Sequence, residues 1–306
     1  MSIILITGGT GMVGTALTKM LVNKGHQVII LSRSPKISED KSITYANWDV
    51  TNNKIDEKSI AEADYVIHLA GAGVADKRWT TARKTELVES RTLSSALLVK
   101  ALATIPNKVK AVISASAIGW YGGDELLKGK NKYFTEEMLP DRHFLGETCR
   151  LWEDSIRPVE KLGIRLVKLR LGIVLSNEGG AFVEFKKPVK FGLAAILGSG
   201  KQIISWIHIE DVCRMFVFAI ENEQMQGAYN AVAPMPISNQ LLTLALAKKM
   251  KGKFFVSMNI PAFVLKLMLG EMSIEVLKSA KVSSEKIKNA GFTFLYPSIT
   301  AALAHL

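Results

Sequence analysis

The sequence predicts an α/β protein built on a doubly wound parallel sheet, with a smaller, mostly helical C-terminal part. Three observations carry this. At the N-terminus a short apolar strand pattern runs into a glycine-rich turn and then a helical pattern. Short apolar runs then alternate with helical patterns as far as about residue 233. Beyond Pro234 and Pro236 the patterns are helical. Residues 1–175, completed by about 205–233, make the sheet domain, and residues 176–204 and 234–306 make the smaller part.

The first strand is Ile3 to Thr7, followed by Gly8-Gly9-Thr10-Gly11-Met12-Val13-Gly14 and a helix with apolar Val13, Leu17, Met20 and Leu21 on one face. Gly8 permits the tight reversal, Gly11 lets a diphosphate approach the backbone, and Gly14 lets the helix pack closely. The free N–H groups of the new helix then face the anion. No Lys-Ser/Thr follows the last glycine, which argues against a nucleoside-triphosphate loop. The motif predicts dinucleotide binding.

His26 to Leu31 forms a second strand ending in Ser32-Arg33-Ser34-Pro35. An NAD site would offer an acid here for the ribose 2′-hydroxyl, and none is present. Arg33 with the two serine hydroxyls suits a 2′-phosphate, so NADP(H) is the expected cofactor. Ile43 to Val50 supplies a third strand. Asp49 there is placed to accept from the adenine amino group, to form a turn or to cap a helix. Ala63 to Leu69 is a fourth strand, with His68 read as a satisfied core histidine. Leu69-Ala70-Gly71 and the small residues after it let the cofactor lie against the backbone.

The basic stretch Asp76-Lys77-Arg78-Trp79 leads into a long helix from about Ala82 to Ala103. Val109 to Ala115 is a fifth strand, beyond whose carboxyl end Ser116 and Tyr121 are the candidate catalytic groups. A helix from Phe144 to Lys161 has Pro158 ending or kinking its last turn. Ile164 to Leu169 is the sixth strand, and a glycine-bracketed stretch with Phe182, Phe185, Lys186, Lys187, Lys190 and Phe191 is expected as a mobile segment. It either folds over an anionic, partly apolar substrate or is a solvated loop. Trp206 to Val212 is a short strand entering a helix that Asp211 caps or orients. Gly227 to Val232 is a strand. Helices are expected at Asn239–Met250, Ala262–Leu269 and Ser273–Leu277, with Met258, Met268 and Met272 as core.

The chain has 306 residues, 48% of them hydrophobic and 22% charged, with a net charge of +11. That is the composition of a globular protein. No apolar run reaches the ~18 residues of a membrane span, and no basic leader precedes the first strand. The expected location is the cytoplasm, with no membrane partner. Cys149 and Cys213 have no metal-ligand spacing and read as buried thiols. The basic excess attracts polyanions nonspecifically, without a nucleic-acid recognition motif.

TGGTGMVG, HLAGAG, ISASAIGWYG, LRLGIVLS and SWIHIEDV, in this order, resemble the extended short-chain dehydrogenase/reductase superfamily. ADKRW, FLGETCRLWE, LGSGKQIISWIHIED and LGEMS resemble its atypical "epimerase family protein" group. The resemblance implies a Rossmann domain, epimerase-like or oxidoreductase chemistry on an unidentified small molecule, and a substrate-side C-terminal domain. It allows a homodimer through the helices at Ala82–Ala103 and Phe144–Lys161. Relatives use a tetrad of Asn, Ser/Thr, Tyr and Lys. Here Arg91, Ala117, Leu145 and Cys149 align with those positions. A leucine cannot shuttle a proton, so Ser116 and Tyr121 are left as the candidate substitutes. Arg91 is placed for the cofactor diphosphate or a substrate acid, with Glu86 as its partner or a ribose ligand. The alternative to an enzyme is a non-catalytic NADP(H)-binding sensor or scaffold.

Overall fold

In the computed structural model, residues 1–34, 37–127 and 132–306 are described; Pro35 lies outside them. Seven parallel strands form the main sheet: β1 (Ile3–Thr7), β2 (Gln27–Ser32), β3 (Ile43–Asp49), β5 (Tyr65–His68), β6 (Ala111–Ala117), β7 (Arg165–Leu171) and β12 (Gly227–Ala231). A two-residue antiparallel strand, β4 (Lys54–Ile55), borders β3. The order is β12-β7-β6-β5-β1-β2-β3-β4. Strand order therefore reverses beside β1, where β2 lies on one side and β5 on the other. In such a sheet the crevice beyond the carboxyl ends of these strands is where a ligand sits.

The strands read as continuous apolar runs because both faces are covered. Ile4 and Ile6 point to one layer with Leu17, Leu21 and Phe216, supplied by α1 (Met12–Asn23) and α6 (Ile209–Glu221). Leu5 and Val66 of β5 point to the other with Leu98 and Ile156, from α3 (Thr81–Thr104) and α4 (Phe144–Ile156). Between α1 and α3 lies the short α2 (Glu57–Glu62), capped by Asp56. After Ile156 the chain tightens into 3₁₀ turns at Arg157–Leu162, with Pro158 at their start.

A separate core lies in the smaller part and joins Phe182, Val189, Trp206, Leu246 and Leu303. Around it run β8 (Ile173–Leu175) beside β11 (Trp206–His208), β9 (Leu193–Leu197) beside β14 (Val256–Ile260), and β10 (Ile203–Ile204) beside β13 (Ile237–Ser238). Its helices are α5 (Ala181–Lys190), α7 (Asn239–Lys251), α8 (Ala262–Leu269), α9 (Ser273–Leu277) and α11 (Ile299–His305), whereas α10 (Glu285–Asn289) buries Ile287 in the core of the sheet domain.

Three expectations need correction. The stretch between the paired glycines is helix α5 and strand β9, because Phe182, Phe185 and Val189 recur at helical spacing and two of them are fully buried. Met258 and Met268 are 50% and 65% exposed and Met272 is half-buried, so the three do not line the core. Asp211 does not cap α6; His208 does, accepting from the Glu210 N–H. Asp211 instead accepts from the Leu295 and Tyr296 amides and from Arg214, fastening the C-terminal segment to α6.

Candidate functional site

The glycine loop lies where strand order reverses. Gly8 has φ +70°, and a Cβ there would sit 2.8 Å from the Leu69 carbonyl, so only glycine lets β1 turn against the end of β5. A Cβ on Gly14 would overlap the Gly8 carbonyl oxygen. Gly11 is different: it is exposed, with only the Gly8 oxygen 3.4 Å from a built Cβ. It opens α1 as an N-cap that has no side chain to satisfy the first-turn amides, and no acid lies in that turn. The amides of Met12, Val13 and Gly14 therefore stand ready for an anion. Thr10 is exposed on the same loop, and Met12 packs under Gly179 and Gly180.

Thr7, which the sequence reading passed over, ties the two strand ends together. Its hydroxyl accepts from the Leu69 and Ala70 amides and lies 2.7 Å from His68 Nδ1. His68 Nε2 lies 3.0 Å from Ser95 Oγ. Burial pushes His68 down to about 4. It is a neutral core histidine, as its alternation with apolar neighbours predicts.

At the tip of β2, Ser32 is half-buried and its hydroxyl closes a local turn with Ser34. Arg33 is exposed, and among the described residues no carboxylate pairs with it. Asp49 accepts from the Asn52 backbone and side-chain amides, which makes it a turn former.

Arg91 and Glu86 do not act as a pair. Glu86 binds Arg83 at 2.7 Å. Arg91 is buried, donating through Nη1 to the Leu87 carbonyl and through Nη2 to the Ala72 carbonyl, with its guanidinium 5.0 Å from the Trp152 ring. Its stem lies 3.2 Å from the place of a Cβ on Gly71. Each outer nitrogen donates to a carbonyl, so Arg91 shapes the Ala70–Ala72 backbone.

Ser116 and Tyr121 also require correction. Ser116 is 1% exposed and donates to Glu153 Oε1 at 2.8 Å. Tyr121 is 0% exposed, donates to Asn230 Oδ1 at 2.7 Å and accepts from Arg170 Nη1 at 3.0 Å. Burial pushes the phenol up to about 12. Both belong to a buried network centred on Glu153 and Arg170, with Trp120 stacked 3.7 Å from the guanidinium. Neither reaches the crevice. Leu145 and Cys149 pack on Gly119, 3.3 and 3.4 Å from its built Cβ, and burial pushes the Cys149 thiol up to about 12. Both cysteines are buried and unpaired.

Trp79, held by its indole N–H on the Val74 carbonyl, meets Phe144 edge to face at 5.0 Å. Beyond it a cavity of about 1020 Å³ opens between the loop after β6 and α9, with Asp141, His143, Glu275 and Lys278 on its wall. Among the described residues no helix is long and apolar enough to cross a membrane.

The NAD dependent epimerase/dehydratase family matches residues 4–231, and a domain of unknown function, DUF1731, matches residues 260–306. An epimerase family protein of Staphylococcus aureus (strain NCTC 8325) is 38% identical over 302 residues, 99% of this chain and 98% of the relative. One from Staphylococcus haemolyticus is 37% identical with the same coverage. Among solved structures, the human epimerase family protein SDR39U1 (isoform 2) with NADPH superposes with a TM-score of 0.87 at 27% identity, covering 99% of this chain and 98% of that one. A UDP-N-acetylglucosamine 4-epimerase from Bacillus cereus shares the fold, with a TM-score of 0.77 at 20% identity and coverage of 100% and 98%.

Proposed function

The chain belongs to the NAD dependent epimerase/dehydratase family, and from that premise we propose that it is an NADP(H)-binding, epimerase-like oxidoreductase acting on a small molecule without the usual Ser-Tyr-Lys set. The observation that carries the cofactor choice is Arg33, exposed at the tip of β2 beside Ser32 and Ser34, where no acid stands. A guanidinium there favours a 2′-phosphate over a bare ribose. The human relative solved with NADPH supports the same choice.

The residues present fit a dinucleotide. Gly8 and Gly11 leave room that a Cβ would narrow, the first-turn amides of α1 carry no competing acid, and Leu69, Ala70 and Gly71 offer backbone at the end of β5. When bound, the cofactor supplies hydride exchange at its nicotinamide. The chain's part is to hold the diphosphate at the α1 amides, the 2′-phosphate at Arg33 and the loop after β5 in shape through Thr7 and Arg91.

A second reading is favoured by one observation. Ser116 and Tyr121 are locked in the Glu153–Arg170 network, and Leu145 and Cys149 offer no proton. That arrangement equally suits a sensor or scaffold that binds NADP(H) without turning over. Calorimetric titration with NADPH, NADP⁺, NADH and NAD⁺, followed by slow-turnover assays, separates the two. Preferential NADP(H) binding with substrate-dependent oxidation is the result expected of an enzyme. Tight binding that stays silent across a broad substrate panel identifies the sensor, and no dinucleotide binding overturns both.

A further inference from the structure

The start of α3 and the turn before α9 meet at one point of the surface. Lys84 Nζ lies 2.8 and 2.9 Å from the two carboxylate oxygens of Glu271, across 187 residues of chain. Among the described residues this is the only ion pair that joins residues 260–306 to the rest of the protein. The two side chains are 30% and 42% exposed, so the pair adds little to stability.

Arg78 closes on the same turn. A Cβ built on Gly270 would lie 2.9 Å from Arg78 Nε and 3.2 Å from Nη2. Arg78 is itself exposed, and no carboxylate among the described residues pairs with it. Phe144 lies beneath Lys84, 4.9 Å from the ammonium to the ring centre, and Trp79 stands against Phe144. Phe144 opens α4 and directly precedes Leu145, which packs on Gly119 beyond the end of β6.

Arg78 thus lies against the Gly270 backbone and Lys84 on the carboxylate of the next residue, Glu271, with the Phe144 ring beneath Lys84, where the small domain meets the sheet domain. Neighbouring cations with a single counter-ion repel, and an anion reaching both relieves that repulsion. We propose that Arg78 and Lys84 form a subsite for the anionic group, a carboxylate or a phosphate, of the molecule handled in the crevice, and that Glu271 occupies Lys84 until that anion arrives. The guanidinium supplies two parallel donors, the ammonium a point charge, and the half-buried Phe144, backed by the buried Trp79, an apolar surface for the adjoining portion. The assignment rests on reading the crevice as the binding site of an NADP(H)-dependent protein.

The test is an NMR titration of the full-length protein with inorganic phosphate and, separately, acetate, at constant ionic strength and with chloride as control. The readout is the Trp79 indole N–H signal, identified from Trp79→Phe, followed with and without NADPH. The expected result is a saturable shift with one of the two anions, which also tells the phosphate source from the carboxylate source. Arg78→Gln and Lys84→Gln are expected to weaken it about tenfold, Lys84→Arg to retain it, and Glu271→Gln to tighten it several-fold. Thermal midpoints of the variants check folding.

A shift no larger than that given by chloride overturns the proposal. So does an anion-titration midpoint that Glu271→Gln leaves unchanged, since Glu271 then does not compete with the anion for Lys84. Absence of NADPH binding in a parallel calorimetric titration overturns the cofactor reading alone, because the anion arms run without the dinucleotide stand by themselves.

Discussion

Glu153 and Arg170 form a two-point buried ion pair, Nε to Oε1 at 2.7 Å and Nη2 to Oε2 at 3.1 Å, with side chains 5% and 3% exposed. One member lies on α4 and the other on β7, so the pair bolts a helix to the sheet directly behind the crevice. Ser116 on β6 and Lys168 on β7 complete the shell of the carboxylate.

Removing the carboxylate leaves buried positive charge without a partner. Glu153→Gln is expected to destabilise the protein by about 3–5 kcal/mol, the cost of breaking a buried pair. Ser116→Ala, which removes only one donor, is expected to cost about 1 kcal/mol. Urea unfolding of the two variants beside wild type checks the ranking, and equal losses would show that Glu153 is not the hub.

Tyr121→Phe separates a structural from a catalytic role. The phenol joins Arg170 to Asn230 in a fully buried place, so its loss should cost about 1–3 kcal/mol of stability. NADPH affinity is expected to stay at the wild-type value in calorimetry. A variant of full stability that loses only turnover would return Tyr121 to the chemistry.

Arg33→Ala should weaken NADPH binding about ten- to a hundredfold and leave NADH nearly unchanged, because a charge-assisted bond to the 2′-phosphate is all that is removed. Parallel titrations with the two nucleotides read this directly. Equal losses for both would assign Arg33 another partner.

His68 sets a pH dependence whose sign follows from burial. Its pKa falls from the ordinary 6.5 to about 4 in the fold. Above pH 6.5 neither folded nor unfolded chain carries the proton, and the contribution of the neutral histidine is fully present. As pH falls from 6.5 towards 4 the unfolded chain binds the proton first, and stability drops by up to about 3 kcal/mol. His68→Asn should flatten the difference between urea midpoints at pH 7 and pH 5. An unchanged slope would assign the acid sensitivity to other groups.

Much of the site was legible because its signals are local. The glycine run, the strand before it and the helix after it are contiguous, and the absence of an acid beside Arg33 can be read from four adjacent residues. The helices at Ala262–Leu269 and Ser273–Leu277 begin and end where their apolar spacing and flanking residues place them. The two-residue β4 has no period to detect, and it depends on a turn in which Asn53 takes φ +51°.

By itself the sequence determined the doubly wound sheet and the glycine loop at its switch point, since backbone propensity and hydrophobic period act over a few neighbouring residues. Only the tertiary structure decided what the remaining polar groups do. Ser116 and Glu153 are 37 residues apart, Tyr121 and Asn230 are 109 apart, and Lys84 and Glu271 are 187 apart. Whether a hydroxyl is spent on a buried partner or left free in the crevice depends on which distant strand end or turn folds against it, and no local pattern in the chain records that.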